Sequence, residues 1–541
     1  MPRRQPIKGA GGISDAGPRP GHSAVLFGLL MGLLLSVVPF ALTEGADAPT
    51  GRNGGDVSVQ EAKSAEEAPS SDDQGRTAAH LNQQVYQQGT SDLQPIMRPD
   101  GTILALRKSP RSLEKFLRTP AWLHLGVIYR TRYEGYDNGF RRNQPNGEQQ
   151  VPLRTFVRLG IRSDPVRFFA EFMDARAEAT TPGAVITNRM EDENDILQLY
   201  AGLGTHDLLG LGVPAELTVG RFTMDFSRRR LIARNHYGNA PNAFSGVHLG
   251  LGDEKRQFRV FLVRPVLRYP TSLDKEDANT LFWGFLAGQQ QISWLRTELY
   301  GYFLNEKETV QGDTGIRDEN PAYGVREHLN TLGVRIFKPR AQGELDYEVE
   351  SDWQFGRSSL QTGSPIQDTF AHFQHAEIGY TFDLPWDPNF LVQYDYASGD
   401  RDPNDNRNGR FNSLYGVVNF EYSPSGIWQP FSRSNISSPG YRLTVTPKKA
   451  VMFYVGHRFW WLAQARDQWI GSGLQDPTGK AGNSLGQHVE TRLHWVIGLN
   501  WQIETGWDYL VKGSFIKNID VSGAPNDKNV NYFFFQTVLS F

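Results

Sequence analysis

The chain of 541 residues has no cysteine, so disulfides, thiol nucleophiles and thiolate metal sites are all excluded. It is also poor in apolar residues, at 39%, and outside residues 24–42 it has no long hydrophobic run, which rules out a bundle of membrane helices. Charge of one sign is missing too. A net charge of −3 leaves no overall electrostatic footprint for nucleic acid. No glycine-rich spot has the form of a phosphate-binding loop.

Aromatic residues are present at 12%, together with 55 glycines. A membrane β-barrel needs apolar side chains at alternate positions only, so a polar composition is compatible with life in lipid. The end of the chain shows the pattern most clearly. Phe533, Phe535, Thr537, Leu539 and Phe541 fall on one face of an extended segment, and Tyr532, Phe534, Gln536, Val538 and Ser540 on the other. A chain that stops in mid-strand on Phe resembles bacterial outer-membrane barrels, whose last strand closes the cylinder.

Residues 24–42, preceded by Arg3, Arg4, Lys8 and Arg19, read as a secretory signal, with cleavage after Gly45 favoured because Pro49 disfavours a site after Ala48. A membrane anchor is the alternative reading. Residues 46–118, rich in Ser, Gly, Gln, Asp and Glu, read as a low-complexity periplasmic extension with a short helix over 112–117. Residues 119–541 then form the barrel.

From Pro120 onward, segments of about ten residues alternate in polarity, the length of a tilted membrane strand. A soluble sandwich also alternates, so the connectors decide. Eight short links, including 163–165, 253–255 and 504–507, interleave with nine long ones, including 136–151, 223–243, 399–439 and 462–486. The reading is an all-β, transmembrane antiparallel β-barrel of about 18 strands, with a water-filled lumen. Residues 414–422 are placed inside one large outer loop, because a further single crossing would break the even count.

Polar side chains must face the lumen, so phase identifies the lining. Arg154, Arg158 and Arg162 form a basic row beside Arg130 and Arg132 of the preceding strand. Glu344, Asp346, Glu348, Glu350, Asp352 and Gln354 form an acidic row on a distant strand. The two rows are expected to compensate across the lumen. They either satisfy one another or contact a solute, and both readings stand. Spaced guanidiniums suit the carboxylates of an anionic sugar polymer.

Several segments resemble the bacterial alginate-export family of outer-membrane barrels. They are Gly220-Arg221, Arg230-Leu231-Ile232, Phe244-Ser245-Gly246-Val247, Tyr394-Asp395-Tyr396-Ala397-Ser398-Gly399-Asp400, His457-Arg458-Phe459-Trp460, Gly486-Gln487-His488-Val489-Glu490 and the closing strand. The resemblance spans the whole proposed barrel. It implies a channel that passes an anionic, alginate-like polysaccharide outward by passive, charge-guided diffusion. Residue by residue, it makes Arg221, Asp395, Arg458 and Glu490 pore candidates. Ser245 and His488 depart from the family, which usually has acidic residues at both positions.

Expected partners are outer-membrane lipid, the barrel-assembly machinery, the polysaccharide and a periplasmic export component on the short-turn rim, with no nucleic acid. No cofactor, metal or catalytic residue is expected. Residues 400–406 lack the turn glycine and closing glutamate of a calcium loop, and His372 and His375 point to opposite faces of a strand. The alternatives are a general or sugar-selective diffusion porin and, more remotely, an outer-membrane hydrolase using Ser398, His457 and Asp395.

Overall fold

The alternation from Pro120 onward translates into strands. The computed structural model describes residues 113–541 apart from 185, 254, 308–326, 360–364, 420, 449 and 498–499. The expected signal peptide, and the extension before residue 113, lie outside the described residues. A short helix α1 (Leu113–Leu117) precedes the strands.

Eighteen long strands occur among the described residues. The first six are β1 (Leu123–Tyr136), β2 (Glu148–Ser163), β3 (Val166–Glu178), β4 (Asp192–Thr205), β5 (Ala215–Phe222) and β6 (Phe244–Gly252). The next six are β7 (Arg256–Leu267), β8 (Thr280–Gln289), β9 (Arg296–Glu306), β10 (Glu327–Lys338), β11 (Leu345–Ser358) and β12 (Gln367–Thr381). The last six are β13 (Asn389–Ala397), β14 (Ile436–Lys448), β15 (Val451–Trp461), β16 (Ser484–Ile497), β17 (Trp501–Lys512) and β18 (Val530–Ser540).

Each strand pairs antiparallel with the next, and β1 pairs with β18 from Ile128↔Ser540 to Tyr136↔Tyr532, which seals the cylinder. Phe541 completes the seam. Its N–H donates to the Val127 carbonyl at 2.9 Å, and its carbonyl accepts from the Val127 N–H at 3.0 Å. Closure matters because an unpaired strand edge in hydrocarbon costs several kcal/mol per orphan group, on the order of 2–7. No described helix is long and apolar enough to cross a membrane.

The phase of the side chains follows the barrel rule. Leu199, Leu262, Leu299, Val349, Ile378 and Phe535 are 42–54% exposed on the outer face. On the closing strand, Tyr532, Phe534, Gln536 and Val538 are buried on the inner face, while Phe533 and Phe535 look outward. One turn differs from expectation. Residues 504–507 lie within β17, and the chain reverses between Ile497 and Trp501 instead. Glu504 is an inward partner of Arg492 and Gln536, so its polarity marks lumen and not a link.

The lumen is not the open aqueous space that its circumference suggests. Loops 223–243 and 398–435 fold into it, and 462–483 packs against the second of them. Tyr237, Phe411, Tyr422, Trp428 and Phe431 are at most 1% exposed. Phe431 stacks on Trp460 of β15 at 3.7 Å, and Trp428 on Tyr532 of β18 at 5.2 Å. The described residues of 414–422 do belong to one long loop, but Leu414, Tyr415, Val418 and Tyr422 have no lipid-facing register and are buried inside. Loop 462–483 is pinned by Trp469 Nε1, which donates to the Pro430 carbonyl at 2.6 Å.

Candidate functional site

The two infolded loops meet in a short parallel contact inside the barrel, Ile232↔Tyr415. The Tyr415 N–H donates to the Leu231 carbonyl at 3.0 Å, the Ala233 N–H to the Tyr415 carbonyl at 3.1 Å and the Val417 N–H to the Arg229 carbonyl at 3.0 Å. The first loop leaves and re-enters the wall at Gly220 and Gly246. These are ladder partners with φ of 132° and 156°, in a region side chains rarely adopt, and a Cβ would overlap the backbone of β4 at Leu199 from Gly220 and that of β7 at Leu262 from Gly246.

One end of this first loop is tied to the basic wall. Arg130 Nη1 donates to the His236 and Tyr237 carbonyls at 3.0 and 3.1 Å, and Arg132 Nη1 to the Tyr237 carbonyl at 2.7 Å. Arg154 Nη1 donates to the Gly238 carbonyl at 2.6 Å. Arg158 Nε instead meets Glu171 at 2.6 Å, and Arg234 of the loop meets the other oxygen of that carboxylate at 2.8 Å.

The other end is tied to the acidic wall. Arg230 Nη1 meets Glu348 at 2.6 Å and also Glu350, while its Nε and Nη2 reach Glu421 of the second loop at 3.0 and 2.8 Å. Arg433 pairs with Glu421 as well. Arg335 of β10 bridges Glu298 and Glu348 at 2.9 and 2.6 Å. The acidic and basic walls therefore do not compensate each other across open water, as expected from their sequence. Each is engaged by the folded-in loops and by its neighbouring strands.

Glu421 is the hub of this closure. Its backbone carbonyl accepts from Arg458 Nη1 at 3.1 Å and from Arg442 Nη2 at 3.4 Å. Burial pushes its carboxyl up, but Arg230, Arg433 and Arg228 outweigh that and hold it well below the usual carboxylate range. Burial also opposes ionisation of Asp225, yet the charge and hydrogen bond of His236 at 2.7 Å, with Arg229 nearby, bring it down to about 2.

The remaining expected lining residues fall in different places. Asp346 and Asp352 are buried on the inner face of β11. Asp395 is buried between His375 Nδ1 at 2.8 Å and Arg458 Nη2 at 2.5 Å, and Glu490 accepts from Arg442 at 2.8 Å. Three residues are displaced from the lumen. Glu344 lies in the turn before β11, where it pairs with Lys338 at 2.8 Å. Arg162 ends its row at the short-turn rim beside Asp164 at 3.4 Å. Arg221 shares the outward phase of Val219 and is held by Asp195 and by the Ile196 and Asp274 carbonyls.

Ser398, His457 and Asp395 do not assemble. His457 faces outward against Tyr441 at 2.9 Å and Gln487 at 3.0 Å, while Asp395 faces inward. Phase reasoning from the strands missed Arg230, Arg335 and Glu421. The available signals were the Arg228-Arg229-Arg230 run just before Leu231-Ile232, and a lone acid in the apolar stretch 414–422.

On the long-loop side a cavity of about 470 Å³ opens above the infolded loops. Six arginines line it, Arg132, Arg141, Arg142, Arg189, Arg410 and Arg433, against two acids, Glu148 and Glu327, and three of them pair with carboxylates behind the lining, Arg132 with Glu134, Arg410 with Asp467 and Arg433 with Glu421. Arg141 Nη1 donates to the Ile427 carbonyl at 2.6 Å, and Arg142 Nε to the Ser522 carbonyl at 2.9 Å.

A sealed strand cylinder, apolar outside and lined by charged groups inside with loops folded into the bore, is an outer-membrane channel. The alginate-export family model matches residues 121–529, and the chain belongs to that family of bacterial outer-membrane proteins, a family of transport channels and not of enzymes. Similar solved structures include the outer membrane protein opdK from Pseudomonas aeruginosa, at 10% identity and a TM-score of 0.51 over 77% of this chain and 98% of that one. Another is OccD3 (OpdP) of the same organism, at 11% identity and a TM-score of 0.48 over 77% and 91%. At such identities the likeness shows fold alone. No curated protein matches the chain.

Proposed function

We propose that this channel passes an anionic, alginate-like polysaccharide outward by passive, charge-guided diffusion, with the infolded loops as the barrier that must move. The arginine-rich vestibule is the observation that supports the reading most. Its six arginines outnumber its two acids, and Arg141 and Arg142 hold backbone carbonyls that a uronate carboxylate would replace with a stronger, charge-assisted partner. Arg130, Arg132 and Arg154 bind the carbonyls of residues 236–238 in the same way deeper in the bore, so a polymer that displaces the first loop meets guanidiniums in succession. Asp346, Glu348, Glu350, Asp352, Asp395 and Glu490 stand in this reading as the acidic counterpart that keeps such a chain from being trapped.

A general or sugar-selective diffusion porin is the second reading, favoured by the mixed signs of the lining. Planar-bilayer recording separates the two. Current block by uronate oligomers at concentrations where neutral oligosaccharides have no effect is the expected result, and equal conduction of both would establish the sieve.

A further inference from the structure

A constellation that meets the closure network only through the Arg442–Glu490 pair sits on the inner wall between β16 and β17. His488 and Glu490 share the inner face of β16, and Asp508 stands directly opposite Glu490 on β17. One ligand atom from each lies within 4.8 Å of the others. All three side chains are at most 3% exposed.

Their hydrogen-bonding capacity is largely unmet. Both ring nitrogens of His488, Oε2 of Glu490 and both oxygens of Asp508 have no partner at good hydrogen-bond geometry, with Trp428 directed towards Asp508 and Tyr454 towards Glu490 as the nearest donors. His488 Nε2 is 3.5 Å from Asp508 Oδ2, long for a hydrogen bond. Above them the second loop lays apolar cover, with the Trp428 and Phe431 rings 6.2 and 5.9 Å from the imidazole. Each orphaned buried group costs about 1–3 kcal/mol, and two carboxylates directly opposite on a ladder repel each other. A structure that gathers one donor atom from each of three such residues under an aromatic lid calls for something that satisfies them together.

We propose that His488, Glu490 and Asp508 bind a divalent transition-metal ion of the zinc type. One imidazole nitrogen with two carboxylate oxygens is a borderline donor set, whereas calcium and magnesium take oxygen ligands. Bonds of about 2.0–2.2 Å to one ion would draw the three groups together and neutralise both carboxylates. Arg442, at 2.8 Å from Glu490 Oε1, then orients that ligand from behind through the oxygen the ion does not need. Because Trp428 and Phe431 close over the site, the ion would fasten this stretch of wall beneath the plug.

The test uses the full chain folded in detergent, stripped with a chelator and titrated with Co²⁺. One tight equivalent with visible d–d bands, displaced by Zn²⁺, is expected. His488→Gln and Asp508→Asn should each weaken it at least ten-fold while the barrel keeps its heat-modifiable migration on gels. Should either variant fail to fold, X-ray absorption of the zinc-loaded wild type gives an independent answer, a shell of one nitrogen and two carboxylate oxygens with any balance from water. Absence of a tight equivalent, wild-type affinity in both variants, or a shell without imidazole would each overturn the assignment.

Discussion

Arg230 and Glu421 face each other as a two-point ion pair, Nε to Oε2 at 3.0 Å and Nη2 to Oε1 at 2.8 Å, and they belong to different loops that enter the bore from different parts of the wall. A buried pair of this kind fixes which partners meet more than it adds net stability, but removing one member costs about 3–5 kcal/mol because the other charge is left behind. Glu421→Gln keeps the shape and deletes the charge, leaving Arg433 without its carboxylate and Arg230 with Glu348 and Glu350 only. The expected outcome in bilayers is a larger and noisier single-channel current, with an intact barrel on gels. A current identical to wild type would remove this pair from the closure.

Gly416 tests the same contact without touching a charge. A Cβ there would overlap the Arg230 carbonyl, so the two loops cannot keep their present approach once the residue is alanine. Overpacking of this sort costs about 1–3 kcal/mol. Gly416→Ala should therefore raise conductance in the direction of Glu421→Gln, and the double variant should add little to either. Independent, additive increases would mean that the loops seat separately.

The wall was readable from sequence because period-two alternation records which side chain meets lipid and which meets the lumen. Arg130, Arg154, Glu348 and Glu350 were found by phase alone, and all are buried inside. Phase fails where strands end. Arg162, Arg221 and Glu344 have the right residue type at a rim, where a one-residue change of position decides whether a side chain meets the bore, a turn or a loop outside it. The plug was illegible for a different reason. Its side chains obey no period, and its partners lie far away in sequence, as Tyr237 and Tyr532 show, 295 residues apart with hydroxyls at 3.2 Å. The polarity of Glu504, read as a turn, shows the cost of taking hydrophilicity for a link when a barrel wall is itself half hydrophilic.

The pH dependence of closure has a definite sign. Asp225 and Glu421 have depressed folded-state values, so their stabilisation is fully present above the ordinary carboxylate range of about 4 and is lost as pH falls towards about 2. The groups around Glu421 are Arg228, Arg230 and Arg433, with His375 of β12 beyond them. The closed-state current should thus stay constant from pH 7 to 5 and rise only below about 4, measured on one channel with buffer exchange. Opening that begins near pH 6 would point to a histidine in place of these carboxylates.

Arg141 and Arg142 test the polyanion reading from the vestibule, where Arg142 holds the Ser522 carbonyl outside the two infolded loops and Arg141 holds the Ile427 carbonyl of the second one. Replacing both with Gln preserves hydrogen-bond donors while removing two positive charges from the vestibule. Exposed ion pairs contribute about 0.2–1 kcal/mol each, so the concentration of uronate oligomer needed for half block should rise by roughly two- to five-fold per residue at low salt. The difference should shrink as ionic strength rises, since exposed charges are screened over a Debye length of about 8 Å at physiological salt. Conductance of the Arg142→Gln single variant without oligomer should stay within the scatter of wild type, which separates loss of a polyanion contact from opening of the bore. An unchanged half-block concentration across all salt conditions would take the vestibule out of substrate recognition.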